Sequence, residues 1–215
     1  SHSATADGVH TWTVELDAAL NESHSADSLQ IQVATSEGEP IGATTTVNVT
    51  PEIDIEGTDY DDVMTGHEGD NTVTAGAGDD IVNGLGGDDQ PLSGDGDDTV
   101  YGGEGDDTLD GGVGDDDLFG GDGNDLFIFG SNHGRDAADG GEGGGWIDSI
   151  QLEDVDDGPS AALEDSGDWT LTTNDSFSVD QDTNTIDFTD GDASGTITLE
   201  DGSVLEFDNI DNINW

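Results

Sequence analysis

The sequence predicts an all-β protein built around a right-handed parallel coil of nine-residue repeats. A partial antiparallel sandwich precedes the coil and a β-rich segment follows it. Three observations lead to this prediction. Glycine, present 34 times in 215 residues, recurs in phase over residues 57–128. Strand-like stretches with alternating apolar side chains flank that array, and no segment shows a sustained helical period.

Charge and composition exclude several classes of function. The chain has 53 acidic residues and one basic residue, Arg135, for a formal net charge of -52. Nucleic-acid binding needs a basic surface and adhesion to anionic lipid needs basic clusters, so neither partner is expected. No apolar run is long enough to insert into a membrane. The absence of cysteine rules out disulfides and thiolate metal sites. Cations are therefore the natural partners.

Residues 1–56 are predicted to hold a partial sandwich and a linker strand. Three stretches, 10–16, 29–35 and 44–49, alternate with period two and carry Val, Ile, Thr or Trp on one face. Three strands are too few to close a sandwich, so we expect the missing strands upstream of Ser1. Residues 51–56 are assigned to the linker, which opens at Pro51.

Residues 57–128 divide into eight consecutive nonapeptides without a gap, and the fourth place is glycine in seven of them. A flexible low-complexity segment would explain the glycine content but not this phase. The sixth place is held by Asp62, Asn71, Asp80, Asp89, Asp98, Asp107, Asp116 and Asp125. The eighth place is held by Met64, Val73, Val82, Pro91, Val100, Leu109, Leu118 and Phe127. An irregular ninth copy (131–139) and a degenerate tenth extend the predicted coil to residue 152.

Six places of each repeat hold residues typical of turns and three hold residues typical of strands. Successive repeats should form alternate sides of the coil, so turns 18 residues apart should stack. Stacked strands lie about 4.8 Å apart. Two carboxylates at that separation repel by about 0.9 kcal/mol in water and by about 3.5 kcal/mol at an effective dielectric constant of 20. A hard dication between turns removes this repulsion. Oxygen-only ligation by carboxylates and carbonyls selects Ca²⁺, and folding should then depend on the metal.

The nonapeptide GGxGxDxUx, intact in GGEGDDTLD and GGVGDDDLF, resembles the calcium-binding repeat of the RTX (repeats-in-toxin) family, which forms a parallel β-roll. The resemblance implies that each ion lies between two turns. The earlier turn contributes carbonyls from places two and four, the later turn carbonyls from places one and three, and both contribute the sixth-place side chain.

That ligand pattern assigns about six sites to two edges of the roll. The residues at one edge are Thr58, Tyr60, Asp62, Ala75, Gly76, Ala77, Gly78, Asp80, Ser93, Gly94, Asp95, Gly96, Asp98, Gly111, Val113 and Asp116. Those at the other edge are His67, Gly69, Asn71, Gly84, Leu85, Gly86, Gly87, Asp89, Gly102, Gly103, Glu104, Gly105, Asp107, Gly120, Asp122 and Asp125. Asp136 and Asp148 could each complete one more site, for about eight.

Three positions depart from the family pattern. Tyr60 replaces a turn glycine and Asn71 replaces a carboxylate, so the first site at each edge should be weaker. Pro91 occupies an inward strand place and has no N–H, which predicts a local defect in the fourth repeat.

Residues 153–215 are predicted to form a β-rich cap. Strands are expected at 169–173, 185–189 and 195–207, the last a hairpin turning at Asp201 and Gly202. The segments GNDLFIFG, GGEGGGWIDSIQL and GTITLEDGSVLEFDNIDNINW resemble the C-terminal target region of large type I secreted bacterial adhesins.

This second resemblance implies a secretion signal near the C-terminus and export through type I secretion machinery. It also implies a secreted or cell-surface location on a Gram-negative bacterium, and an immunoglobulin-like extender character for the preceding sandwich. The adhesion target would be recognised by a domain outside this chain.

Other interpretations are weaker. The RTX roll also occurs at the C-terminus of secreted proteases and lipases, so the alternative is the same module on a secreted hydrolase. The chain has neither HExxH nor GxSxG, so no catalytic residue is assigned. Residues 180–184 begin like an EF-hand loop but lack its glycine and glutamate, which favours a polar hairpin loop. The tryptophans are expected in core packing, and the scattered histidines, His133 among them, at the surface.

Overall fold

The computed structural model describes residues 53–141, 145–153, 155, 169–189 and 191–215, together with four short strands in the first 50 residues. The chain forms two compact units, Ser1–Thr50 and Pro51–Trp215. All regular structure in the described ranges is β-strand, which confirms the all-β prediction for that part of the chain. A helix with the length and hydrophobicity to cross a bilayer does not occur among the described residues.

The first unit contains two short antiparallel pairs. His2–Ala4 (β1) pairs with His10–Trp12 (β2), and Leu29–Ile31 (β3) pairs with Thr45–Val47 (β4). Strands β2, β3 and β4 lie within the three stretches whose alternation predicts strands. The immunoglobulin-like sandwich stays a prediction.

From β5 to β15 the chain is a parallel coil of about five turns, in which consecutive strands alternate between two sheets. Sheet one contains Val63–Thr65 (β6), Ile81–Gly86 (β8), Thr99–Glu104 (β10), Asp117–Asp122 (β12) and Arg135–Asp139 (β14). Sheet two contains Ile53–Glu56 (β5), Asn71–Ala77 (β7), Gln90–Asp95 (β9), Thr108–Val113 (β11), Leu126–Phe129 (β13) and Ser149–Leu152 (β15). Strand β5, assigned to the linker by sequence, pairs in parallel with β7.

The register places equivalent repeat positions directly above one another. In sheet one Val82 pairs with Val100, and Val100 pairs with Leu118. Because each turn of the coil consumes two nonapeptides, residues 18 apart become neighbours along the coil axis. This is the stacking that the repeat period predicts.

Eighth-place side chains fill the space between the two sheets. The fully or nearly fully buried ones are Met64, Val73, Val82, Val100, Leu109, Leu118 and Phe127. Flanking strand residues such as Tyr101 and Phe119 point outward instead, as the period of two requires. Each fully buried Val or Leu contributes about 1.5–3 kcal/mol of hydrophobic stabilisation.

The predicted defect at Pro91 lies on one side of its strand. Toward β7 the pairing is intact, and Val73 is opposite Pro91. Toward β11 the pairing begins only at Asp110 and Leu92, whereas β11 and β13 already pair at Thr108 and Leu126. Proline has no N–H to donate to the following turn, so the ladder on that side starts two residues late.

The C-terminal strands continue the two sheets. They are Trp169–Thr173 (β16), Phe177–Asp180 (β17), Thr185–Phe188 (β18), Ala193–Leu199 (β19), Val204–Ile210 (β20) and Asn212–Asn214 (β21). Strand β20 pairs in parallel with β14, and β21 pairs in parallel with β15. Strands β19 and β16 then extend sheet one, and β18 and β17 extend sheet two, all by antiparallel pairing.

Several local predictions for this region are confirmed. Strands β19 and β20 form the expected hairpin, with Gly202 at a φ of 98°. The loop between β17 and β18 is a polar hairpin turn in which Asp180 accepts the N–H of Asp182. Trp169 is buried and packs against Trp215, with ring centroids 5.8 Å apart.

The surface assignment of His133 is wrong. Its side chain is only 14% exposed and stacks edge-on against Phe129. His133 occupies the irregular ninth repeat, in the segment between β13 and β14, where its ring packs against Phe129 of β13.

Candidate calcium-binding corners

Sixth-place residues form two rows, one along each edge of the coil. Row one consists of Asp62, Asp80, Asp98, Asp116 and Asp136, and row two consists of Asn71, Asp89, Asp107, Asp125 and Asp148. Each residue stands at or just before the start of a strand, where the turn closes. Parallel pairing in register therefore stacks these side chains along the coil axis.

Within each row, one carboxylate oxygen links two turns. The backbone N–H of Asp80 donates to Oδ1 of Asp98 over 2.7 Å, and that of Asp98 donates to Oδ1 of Asp116 over 2.8 Å. Row two repeats the pattern from Asn71 to Asp148. These bonds fix, from the Oδ1 side, the orientation of every carboxylate that follows the first residue of its row.

The second carboxylate oxygen is buried without a hydrogen-bond donor. Among the described residues, this holds for Oδ2 of Asp80, Asp89, Asp98, Asp107, Asp116 and Asp125. An ionised carboxylate that is buried and unpaired costs several kcal/mol. Six such atoms in two regular rows require a source of positive charge if the coil is to be stable with its carboxylates ionised.

Burial raises the pKa of the carboxyl groups of Asp89, Asp98, Asp107, Asp116 and Asp125 from 3.8. The pKa of Asp89 and of Asp125 rises to about 6, that of Asp107 and of Asp116 to about 7. Nearby carboxylates add to the effect of burial; for Asp107 they include Asp125 and Asp89. At the coil ends burial raises the pKa of Asp148 to about 7 and that of Asp136 to about 8. In the absence of a dication, protons would occupy part of these sites near neutral pH.

Backbone carbonyl oxygens converge on the same spaces. A Cβ on Gly103 would lie 2.2 Å from the carbonyl oxygen of Leu85, and one on Gly105 would lie 2.2 Å from that of Gly87. These are place-two and place-four carbonyls of the earlier turn, aimed at the later turn. At positions 103 and 105 only glycine leaves room for these oxygens.

Place-one residues complete the corners, and this place is glycine in every repeat except those that begin at Ala75 and Ser93. A Cβ on Gly84 would lie 2.2 Å from Oδ2 of Asp89 and 2.6 Å from the carbonyl oxygen of Gly102 in the next turn. Acidic and histidine side chains do not form metal-binding groups of three or more in the described ranges. The available metal ligands are carboxylate and carbonyl oxygens, which suit a hard cation such as Ca²⁺.

The place-three carbonyls assigned by resemblance already accept one hydrogen bond. The N–H of Gly87 donates to the carbonyl of Glu104, and the N–H of Gly96 donates to that of Val113. A carbonyl has two lone pairs, so a second contact is compatible with this bond. The side chains of Glu104 and Val113 are exposed.

The first turn of each row differs from the rest. Oδ2 of Asp62 accepts the N–H of Thr58 over 2.8 Å, and Oδ1 of Asn71 accepts the N–H of His67 over 2.7 Å. The Asn71 amide also donates to the carbonyl of Gly69. Each of these side-chain oxygens is satisfied within its own turn and does not need a cation.

A second ladder, at the fifth place, was missed by the sequence analysis. Its members are Asp61, Asp70, Asp79, Asp88, Asp97, Asp106, Asp115 and Asn124, all exposed. Here the earlier side chain accepts from the later backbone, as when Oδ1 of Asp88 accepts the N–H of Asp106 over 3.0 Å. This direction is opposite to that in rows one and two. The signal was present, because the fifth place is Asp in seven repeats and Asn in the eighth.

Comparison with known families agrees with this geometry. Residues 56–91 and 92–127 each match the family model for the RTX calcium-binding nonapeptide repeat in four copies. The chain therefore carries RTX calcium-binding repeats folded as a parallel β-solenoid, over about a third of its length. A search of curated proteins found no match to the chain.

Proposed function

We propose that the coil is a structural, non-catalytic module whose folding is driven by calcium ions bound between turns 18 residues apart. The observation that carries this proposal is the set of six buried Oδ2 atoms without donors. A dication at each corner supplies the missing positive charge and accepts the convergent carbonyl oxygens as further ligands.

The same reasoning assigns about six ions to the regular array. Two more would lie between Asp116 and Asp136 and between Asp125 and Asp148. The first site on each edge should bind weakly, because Asp62 and Asn71 already have donors in their own turns. The six residues between the first and the last member of the two rows would each border two ions: Asp80, Asp98, Asp116, Asp89, Asp107 and Asp125.

Calcium binding and folding are one process in this proposal. In the unfolded chain the ligands of each site are dispersed over more than 20 residues, so no preformed site exists. The binding free energy then appears as folding free energy. A net charge of -52 opposes collapse until the ions neutralise part of it.

We further propose that the module lies at the C-terminus of a type I secreted adhesin of a Gram-negative bacterium. Support comes from the C-terminal segments that resemble such target regions and from the antiparallel strand pairs that precede the coil. A chain that stays unfolded in a calcium-poor cytosol and folds outside the cell fits one-step export. The adhesion ligand would be bound by another part of the whole protein.

Circular dichroism of the full chain tests the folding proposal. Exhaustive removal of metal at pH 7.5 to 8 should abolish most of the strand signal, and added calcium should restore it. Magnesium alone should not, because it demands a smaller octahedral site and dehydrates reluctantly. Strand signal that persists without metal, or full recovery with magnesium, would overturn the proposal.

A further inference from the structure

Row two does not end with the repeats. The backbone N–H of Asp148 donates to Oδ2 of Asp211 over 2.9 Å. Asp211 lies 63 residues further along the chain, directly before strand β21. Ser149 pairs with Asn212, so Asp211 stands above Asp148 as Asp148 stands above Asp125.

Asp211 uses its two oxygens as the repeat aspartates do. One oxygen accepts the N–H of the preceding member of the row. The other, Oδ1, lies 2.7 Å from the position of a Cβ on Gly191, a glycine with a φ of 67°. In the repeats, Oδ1 of Asp89 accepts from Asn71 and Oδ2 faces Gly84, a glycine of its own turn.

The space between Asp148 and Asp211 also receives a carbonyl oxygen. A Cβ on Gly140 would lie 2.6 Å from Oδ2 of Asp148 and 2.3 Å from the carbonyl oxygen of Asn209. This reproduces the arrangement at Gly84, where Asp89 and the carbonyl of Gly102 meet. Asn209 adopts a left-handed φ of 54° and its carbonyl takes the part of the next turn's place-one carbonyl.

Asp148 is 4% exposed, and no hydrogen bond reaches its Oδ2 from the described residues. Its Oδ1 is occupied by the N–H of Asp125 over 2.8 Å. A carboxylate oxygen without a hydrogen-bond donor, on a residue that is 4% exposed, therefore lies beside the Asn209 carbonyl. An Oδ2 atom without a donor is also what the six aspartates of the array have in common.

Row one has no such continuation. The residue paired with Asp136 in strand β20 is Leu205, which is buried in the core. The two rows therefore end differently. Row one ends at Asp136, whereas row two continues to Asp211 in the C-terminal segment. The difference lies in the side chains, because both C-terminal strands pair in parallel with the coil.

We propose an additional calcium site at the C-terminal end of row two, formed by Oδ2 of Asp148, the carboxylate of Asp211 and the carbonyl oxygen of Asn209. The proposal rests on the proposed function of the repeats. Two of its three ligands, Asn209 and Asp211, come from outside the repeats, so the ion would link the last strand of the chain to the coil. Docking of residues 209–215 would then depend on calcium as the repeats do.

Calcium counting on the full chain tests the site. Native mass spectrometry at saturating calcium should show one ion fewer in Asp211→Asn than in the wild type. Asp148 borders two ion positions, so Asp148→Asn should lose two ions. Asp208→Asn is the matched control, because Asp208 is exposed and, within the described part of the chain, its side chain accepts only the N–H of Asn209. It should retain the full count.

Hydrogen exchange gives a second measurement. With calcium present, the backbone amides of residues 212–214 should exchange at least about tenfold faster in Asp211→Asn than in Asp208→Asn, because a strand without the bound ion opens more often. Asp211→Asn with an unchanged ion count, or Asp148→Asn losing only one ion, would overturn the site while leaving the repeats as calcium-binding. A wild-type chain that binds no calcium would instead overturn the proposed function itself.

Discussion

The backbone N–H of Asp89 donates to Oδ1 of Asp107 over 2.7 Å, whereas Oδ2 of Asp107 is buried with no donor among the described residues. One oxygen joins two turns directly and the other faces the space between them. The protein backbone thus orients each carboxylate without neutralising it. The carboxylates that remain unneutralised both bind the dication and oppose folding when the dication is absent.

Removing one charge from row two should weaken two calcium sites. Asp107→Asn keeps an oxygen that can accept the N–H of Asp89, but it removes the charge shared by the positions toward Asp89 and toward Asp125. We expect calcium affinity there to fall by on the order of tenfold or more, because affinity follows the number of charged ligands. Competitive calorimetry with a chelator measures this change.

The matched control for that variant is Asp106→Asn. Asp106 is fully exposed, and hydrogen bonds from Asn124 lower the pKa of its carboxyl group. An asparagine there can still accept from the Asn124 backbone, so calcium affinity should remain as in the wild type. Equal losses in the two variants would contradict the assignment of ions to the sixth place.

Metal-free protein should gain strand structure as the pH falls from 8 to 5. Burial raises the pKa of Asp116 to about 7 and that of Asp136 to about 8, from 3.8 in the unfolded chain. Between these limits the folded coil binds more protons than the unfolded chain, so its stability falls as the pH rises. Far-UV circular dichroism of dialysed, metal-free protein measures the effect.

Calcium binding should show the opposite dependence on pH. Protons and calcium compete for the same carboxylate oxygens, so calcium affinity should decrease as the pH falls through the range 8 to 6.

Loss of strand signal on acidification of the metal-free protein to pH 5 would contradict the raised pKa values.

Gly103→Ala should destabilise the calcium-bound coil more than Gly202→Ala. Both glycines have positive φ, 127° and 98°, and an alanine in that region costs about 1–2 kcal/mol. The new Cβ at position 103 would lie 2.2 Å from the Leu85 carbonyl oxygen, whereas no atom of the described residues lies within 4 Å of one at position 202. Urea unfolding in calcium should separate the two variants by about 2 kcal/mol or more. Equal stability would mean that the turns are not as close as they are in this structure.

Leu109→Ala should cost about 2–5 kcal/mol, because Leu109 is completely buried between the sheets. Leu92→Ala is the matched control, since Leu92 is 43% exposed on the outer face, and its cost should stay within about 0.5 kcal/mol. Denaturant unfolding at saturating calcium measures both. A reversed order would contradict the inward direction of the eighth place.

Much of the coil is predictable from sequence because the information is local and repeated. The in-phase recurrence of glycine, aspartate and an apolar residue specifies turn, corner and strand in every repeat. Val82 above Val100 and Asp80 above Asp98 follow from that period without knowledge of any other part of the chain. Sequence also predicted a local defect at Pro91, because a missing N–H is a property of one residue, and in the structure this defect is the late start of the ladder toward β11.

Other features depend on tertiary pairing. The position of Asp211 above Asp148 depends on strand β21 joining sheet two after a long segment without repeats. The direction of the fifth-place bonds and the burial of His133 depend on exact placement in space. Nonapeptide chemistry alone thus determined a stacked coil with acidic corners, since each repeat encodes its own turn. Tertiary structure alone decided which distant residues close the end of the coil, because nothing periodic connects them to it.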